Sequence, residues 1–347
     1  MDKDLSNDNI LSKLEVTENS SPINHQWQAA KDIVAMIVNI PSVLPSGVRM
    51  LAQDNKSSSV AVSDTSRSFL QLFTRSESIK TALYLSSKVF CPEQHALTEV
   101  KVDSKWFLNF YSTFDIAVTA SLVVLFRRIT KGMTEDEKMD LSPYIHRNAE
   151  IGGLVGRSIP DIGIGRGMLA TTLPHLALGV FMKLDRSLWK QYQRALKLKK
   201  LHFDFEMEQE FWGCNHLQIA SALIQSIGLG IDRAHAIGHA STVNSEEENS
   251  LTGELRRFYF AVLWTRCLID TGKAPNRELP AEFYPLATYS ELLFNGSETI
   301  RTMGSRYAWL EKETANYIDK EKGTHIIETE DPVEISQELL NALLSEE

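Results

Sequence analysis

Apolar residues recur along most of this chain at steps of three and four rather than two. In the stretch 207–237, MEQEFWGCNHLQIASALIQSIGLGIDRAHAI, an acidic lead-in and a glycine precede His216, after which Ile219, Ala220, Leu223, Ile224 and Ile227 form one stripe. That spacing buries one face of a helix, and Gly228 stands where a left-handed residue would end it. The pattern predicts a core helix with a histidine at its mouth. Similar stripes predict a first helix over 27–38 and a second where Val48, Leu51 and Ala52 resume the period after Pro41 and Pro45. Phe69, Leu72 and Phe73, then Ile79, Ala82, Leu83 and Leu85, mark two short helices joined near 75–78. Further helical patterns cover 105–130, 143–157, 167–184, 187–198, 211–227, 253–271 and 299–319.

Strand patterns are sparse, with a short alternation only at 97–102, and no unit of about 20–50 residues repeats. The expected fold class is all-α, a helical bundle and not a solenoid of copied units. Residues 1–26 are acidic and polar without an apolar period and are expected to be disordered. Residues 27–240 form the expected helical domain. The polar run STVNSEEENSLTG, 241–253, reads as a linker to a C-terminal helical extension over 254–319, followed by an acidic tail over 320–347 in which SQELLNALLSEE has helical spacing.

Composition narrows the class without naming a function. A chain of 347 residues, 43% hydrophobic and 23% charged, is an ordinary globular protein with one large core or two modest ones. Its net charge of -9 argues against broad adhesion to nucleic acid or anionic lipid, which needs clustered Lys and Arg. Arg194 to His202, RALKLKKLH, is a basic run that reads as a solvated helix face, since Glu206, Glu208 and Glu210 follow closely. Arg127 and Arg128 read as the end of a helix whose dipole they complement. The apolar stretch 116–126 is about half of the roughly 20 residues that a membrane span needs. Cys91, Cys214 and Cys267 are odd in number and far apart, giving neither a disulfide framework nor a CxxC pair. The N-terminus lacks a basic and apolar leader, so the expected location is cytoplasmic, with no nucleic-acid or membrane partner.

From about 36 to 240 the order of features resembles the HDOD domain, a bacterial helical domain related to the HD phosphohydrolases. IPSVLPSGVRMLA looks like its opening Leu-Pro-x-Leu-Pro segment, and SVAVSDTSRSFLQLFTRSESIKTALYLSSKVFC is similar to its paired helices. YIHRNAEIGGLVG resembles the helix bearing the first family histidine, here His146. LPHLALGVF sits where the parent superfamily has its His-Asp doublet, and EFWGCNHLQIASALIQSIGL followed by AIGHAS resembles the closing stretch. The resemblance implies an HD-like helical bundle whose catalytic metal site is generally degenerate. Departures from the superfamily point the same way. His175 is followed by Leu176 in place of the ligand Asp, Ser86, Ser87 and Lys88 replace a polar Asn-Ser turn, and Thr265 stands near the place of the last Asp ligand.

A divalent hydrolase site needs several oxygen and nitrogen ligands converging on one ion with a position left for water. Under the resemblance, His146, His175, His216 and His239 would line one cavity. Without a carboxylate they would suit zinc or another late transition metal, but a vestigial set of hydrogen-bonded histidines is expected, with no catalytic residue, metal or cofactor. The glycine-rich DIGIGRGM lacks the P-loop Gly-Lys-Ser/Thr and follows no predicted strand, so it reads as an interhelical loop. Its Gly163, Gly165 and Arg166 complete a candidate recognition groove with the four histidines. Cys214, beside a helix start, would gain a lowered pKa from that terminus, although a small semi-buried thiol is the expected role. The expected function is a non-catalytic signalling or regulatory module that binds a protein partner or a small ligand. The alternative is a divergent metal-dependent phosphohydrolase using His146, His175 and His216 with a carboxylate such as Asp161 or Asp270.

Overall fold

A computed structural model describes residues 22–54, 62–97, 102–244, 247–304, 306, 309 and 310. The expected acidic N-terminus up to residue 21, most of the 97–102 alternation and the acidic tail lie outside these residues. Among those described, every regular element is helical. The helices are α1 (Pro22–Ile37), α2 (Val43–Asp54), α3 (Asp64–Arg75), α4 (Glu77–Phe90), α5 (Pro92–Leu97), α6 (Ser104–Phe107), α7 (Thr113–Thr130), α8 (Glu135–Ser158), α9 (Ile164–Leu184), α10 (Arg186–Lys199), α11 (Phe205–Trp212), α12 (His216–Ser226), α13 (Ile231–His239), α14 (Gly253–Thr271) and α15 (Ala287–Met303). The fold is an all-α bundle, as the periodicity requires.

Its centre is the antiparallel pair α8 and α9, joined by the short turn 159–163. Three steps of one helical turn bring small residues face to face. A Cβ on Gly156 would lie 2.0 Å from the carbonyl oxygen of Gly163, and one on Gly167 would lie 1.9 Å from that of Gly152. One turn further, Thr171 donates its hydroxyl to the Asn148 carbonyl at 2.7 Å. Residues four apart share a helix face, so this ladder lets two backbones touch where side chains ordinarily hold helix axes 8–10 Å apart. Around the pair, α7, α12 and α14 pack on α9, while α4, α14 and α15 pack on α8.

α9 has the length and composition of a membrane span, but nearly three quarters of its apolar window is buried inside the bundle, at 72%. Its neighbours supply the apolar environment that lipid would otherwise provide. The 116–126 stretch is likewise a buried part of α7. α14 and α15 contribute Phe258, Phe260, Trp264, Leu293 and Ile300 to the same continuous core as the earlier helices, so the C-terminal extension is packed against the domain. The expected linker is partly ordered too. Glu248 pairs with Arg277 at 2.6 Å and Leu251 is buried.

Several boundaries move for local chemical reasons. The single helix expected over 105–130 breaks after α6, because Ser112 and Asp115 form a reciprocal capping box that starts α7 afresh. The expected 211–227 helix also divides: Gly213 adopts φ 74 to end α11, and Asn215 caps α12 through the Gln218 amide. α8 begins eight residues earlier than 143, at Glu135, with Thr134 and Glu137 as its capping box, so Pro143 lies inside it. Of the helix expected over 299–319, residues 299–303 form the end of α15, which stops at Met303 before Gly304, and most of the remainder lies outside the described residues. Gly228, at φ 85, ends the α12 region as its position predicts, and an added Cβ there would meet the Pro45 carbonyl oxygen at 2.4 Å.

The α8–α9 ladder generates a stability prediction. Gly167→Ala or Gly152→Ala forces backbone apart and should cost about 3 kcal/mol, because overpacking against main chain has no flexible side chain to absorb it. Gly132→Ala meets nothing within 4 Å and carries only the strain of its φ of 81, so it should cost about 1 kcal/mol. Chemical denaturation of the variants measures both.

Candidate functional site

The seam register continues past its small residues. One turn beyond the Asn148–Thr171 step, Tyr144 of α8 stands opposite His175 of α9, their rings 6.4 Å apart and inclined by only 15°. Where glycines let the helices touch, the last step of the ladder carries large rings out to the surface. Tyr144 is exposed and His175 half-buried. The Arg147 guanidinium lies 5.4 Å from the Tyr144 ring centre and has no carboxylate partner among the described residues. Burial pushes the pKa of His175 down to about 4, and the nearby His216, Arg147 and His202 act in the same direction. Burial is the larger cause, since it penalises the imidazolium.

His216 forms the inner wall of this face. Asn215 caps α12 and thereby aims the following imidazole back at α11, where Glu208 is fully buried. The His216 Nδ1 lies 2.8 Å from Glu208 Oε2, and the His216 backbone N–H donates to the same oxygen at 2.8 Å. Tyr192 donates its hydroxyl to Glu208 Oε1 at 2.5 Å. The Tyr192 hydroxyl and the His216 backbone N–H donate to this carboxyl and the His216 ring nitrogen lies within hydrogen-bonding distance of it, so the buried group is well supplied with partners. Phe205 stacks on the His216 ring at 5.4 Å and Phe203 meets it edge-on at 5.1 Å. Glu208 also joins burial in pushing the adjacent Cys214 thiol up to about 12. The lowered pKa that a helix start would confer on Cys214 is overturned by that negative, desolvated setting.

The seven residues expected to share one groove separate into four places. His175 lies on the face just described, with the buried His216 near enough to influence it electrostatically. Gly163, Gly165 and Arg166 sit at the other end of α9. Nine residues divide Arg166 from His175, roughly 13 Å along a helix axis. His146 is buried inside the bundle with its ring 5.5 Å from Phe126. His239 lies on α13 beside His235 and Trp27. Helix periodicity leaves open how neighbouring helices are rotated toward one another, and that rotation decides which histidines come together.

The glycine-rich segment is therefore a helix start and not a long loop. Gly163 is the N-cap at φ 76, and the Gly165 N–H donates to Asp115 Oδ1 at 2.7 Å. Asp115 closes the α7 capping box with its other oxygen, so one carboxylate satisfies two helix termini. Arg166 makes a bidentate pair with Glu254 of α14 at 2.8 and 2.9 Å, and Arg233 lies 4.5 Å over Phe114 beside it. The Arg166 guanidinium, together with Arg233 and Arg257, holds the Glu254 carboxyl below its ordinary range despite burial. These groups are spent on joining α7, α9, α13 and α14.

Among the described residues no three His, Cys, Asp or Glu side chains converge closely enough to hold a metal ion. Asp161 and Asp270, the carboxylates weighed for such a site, are both exposed on the surface. A cavity of about 690 Å³ lies elsewhere, between the end of α7 and the start of α8, lined by Arg127, Arg128, Lys131 and Lys138. Its cations complement the C-terminus of α7, as the sequence suggests for Arg127 and Arg128. Sequence reasoning missed Tyr144, Arg147, Tyr192, Phe203 and Glu208. Only the YIHR tetrapeptide beside His146 carried a signal for any of them.

Lowering the pH from about 6.5 to about 4 should erode stability through His175. Its native pKa is depressed, so across that window the unfolded chain takes up the proton more readily than the folded one. The contribution vanishes above about pH 6.5, where both states are neutral. His175→Gln should flatten this part of the curve of unfolding free energy against pH, as followed by urea titration.

No family model and no curated protein matches the chain. Among solved structures it is similar to an HDOD domain protein with unknown function from Geobacter sulfurreducens. That likeness covers 83% of this chain and 92% of the other, at 14% identity and a TM-score of 0.48.

Proposed function

We propose that this protein is a cytoplasmic, non-catalytic regulatory module that works by binding, and that the Tyr144–Arg147–His175–His216 face is where it binds. The observation that supports this reading is how the histidines are committed. His146 is packed in the core, His216 is fastened to Glu208, and His239 stands on another helix, so an ion would find no converging set among them. A hydrolytic metal needs three or more such ligands with an open position. The Tyr144 face has instead the composition of a recognition surface. It joins the exposed Tyr144 ring and the half-buried His175 to Arg147, a cation with no carboxylate partner among the described residues, with the loop residue Phe203 packed on His216 behind them. Arginine beside aromatic rings is a common anchor for a partner's carboxylate or ring. A protein segment or a small ligand carrying negative charge suits that chemistry, and the three free cysteines fit a reducing compartment.

Two measurements on the full chain test the reading. A panel of phosphomonoesters, phosphodiesters and nucleotides, assayed with excess manganese or zinc, should show no turnover that His146→Ala abolishes. Binding of an acidic partner, once captured by cross-linking at Tyr144 and verified with purified components, should weaken at least tenfold in Arg147→Ala with unchanged thermal melting. Turnover dependent on His146 and His175 would contradict the proposal, as would a partner whose affinity ignores Tyr144 and Arg147.

A further inference from the structure

α13 presents two imidazoles on one face, away from the surface just described. His235 and His239 are four residues apart, one helical turn, and their ring centres are 4.4 Å apart with planes inclined by 44°. His235 is exposed and His239 half-buried. Neither ring hydrogen-bonds to another described residue, so their nitrogens remain open to a ligand.

We infer that His235 and His239 form a two-imidazole chelate for a late divalent transition ion, zinc or copper(II). Nitrogen donors bind such an ion at about 2.0–2.1 Å, and a tetrahedral ion spaces two of them roughly 3.3 Å apart, a span that rings at this separation can meet by small rotations. Imidazole suits zinc, copper and nickel, and discriminates against magnesium and calcium, which prefer oxygen. Two protein ligands leave the remaining positions to water or to a donor from another molecule. Both ligands lie on one helix, so the helix itself holds the spacing and binding needs no rearrangement of the bundle. The site is separate from His146, His175 and His216, and its occupancy carries no implication for hydrolysis.

Trp27 supplies an optical reporter, because its ring centre is 6.4 Å from that of His239. Copper(II) quenches nearby indole emission. Titrating the apoprotein with copper(II) should give a saturable, one-to-one quench, and the Trp27→Phe variant should lose most of that saturable component, although five of the six tryptophans remain. Calorimetric titration with zinc should show one site whose affinity falls at least tenfold in His235→Gln and in His239→Gln. His235 is exposed, so its variant should melt like the wild type and separate ligand loss from misfolding. Wild-type affinity in the folded His235→Gln protein would overturn the inference, and so would quenching that Trp27→Phe leaves intact.

Discussion

The close contact of α8 with α9 is the constraint on which the rest of this structure depends. Gly156 against Gly163, Gly152 against Gly167, and Asn148 against Thr171 bring two backbones together at successive turns, leaving no room for even a methyl group at the glycine steps. Such a contact specifies rotation and register at once. A slide by one residue would set side chains against main chain, so the helix pair has one arrangement. The energetic return comes from dispersion and from burying the flanking Leu154, Met168 and Leu173, which no single hydrogen bond would match.

Register then carries through to the surface. Because the ladder advances one turn at a time, the same geometry that seats Thr171 on Asn148 sets Tyr144 opposite His175. α12 packs on α9 and brings His216 within electrostatic reach of His175, while Glu208 from α11 holds the His216 ring. At the other end of α9, Asp115 and the Arg166–Glu254 pair bind the helix to α7 and α14. The two ends thus differ: one is held by ion pairs among α7, α9, α13 and α14, and the other carries Arg147 beside the exposed Tyr144 ring. A buried charge without a partner is costly, whereas a half-exposed one keeps its hydration until a ligand replaces it.

Much of the helix inventory was legible in the residues. The stripe from Ile219 to Ile227 and its end at Gly228 stand as periodicity and glycine chemistry require. The places where reading failed share a cause: capping groups overrode apolar spacing at Ser112 and at Asn215. For the candidate site, helix periodicity alone was insufficient. It places His216 at the start of a core helix but carries no information on how α9 and α12 are rotated toward one another. Glu208, eight residues before His216 and across a turn, follows no spacing rule. The glycines of GIGRG were visible as an anomaly, yet in one sequence a loop and a close helix crossing leave the same mark. Only the second run in NAEIGGLVG, read together with the first at four-residue steps, distinguishes them.

A crystal grown from protein equilibrated with excess zinc, with anomalous data collected on both sides of the zinc edge, tests the account most directly. The account predicts no ion held jointly by His146 with His175 or His216, and a peak at His235 and His239. An ion bridging His146 to either of the other two would show that the histidines form one metal centre, and the assignment of this bundle to binding without catalysis would fall.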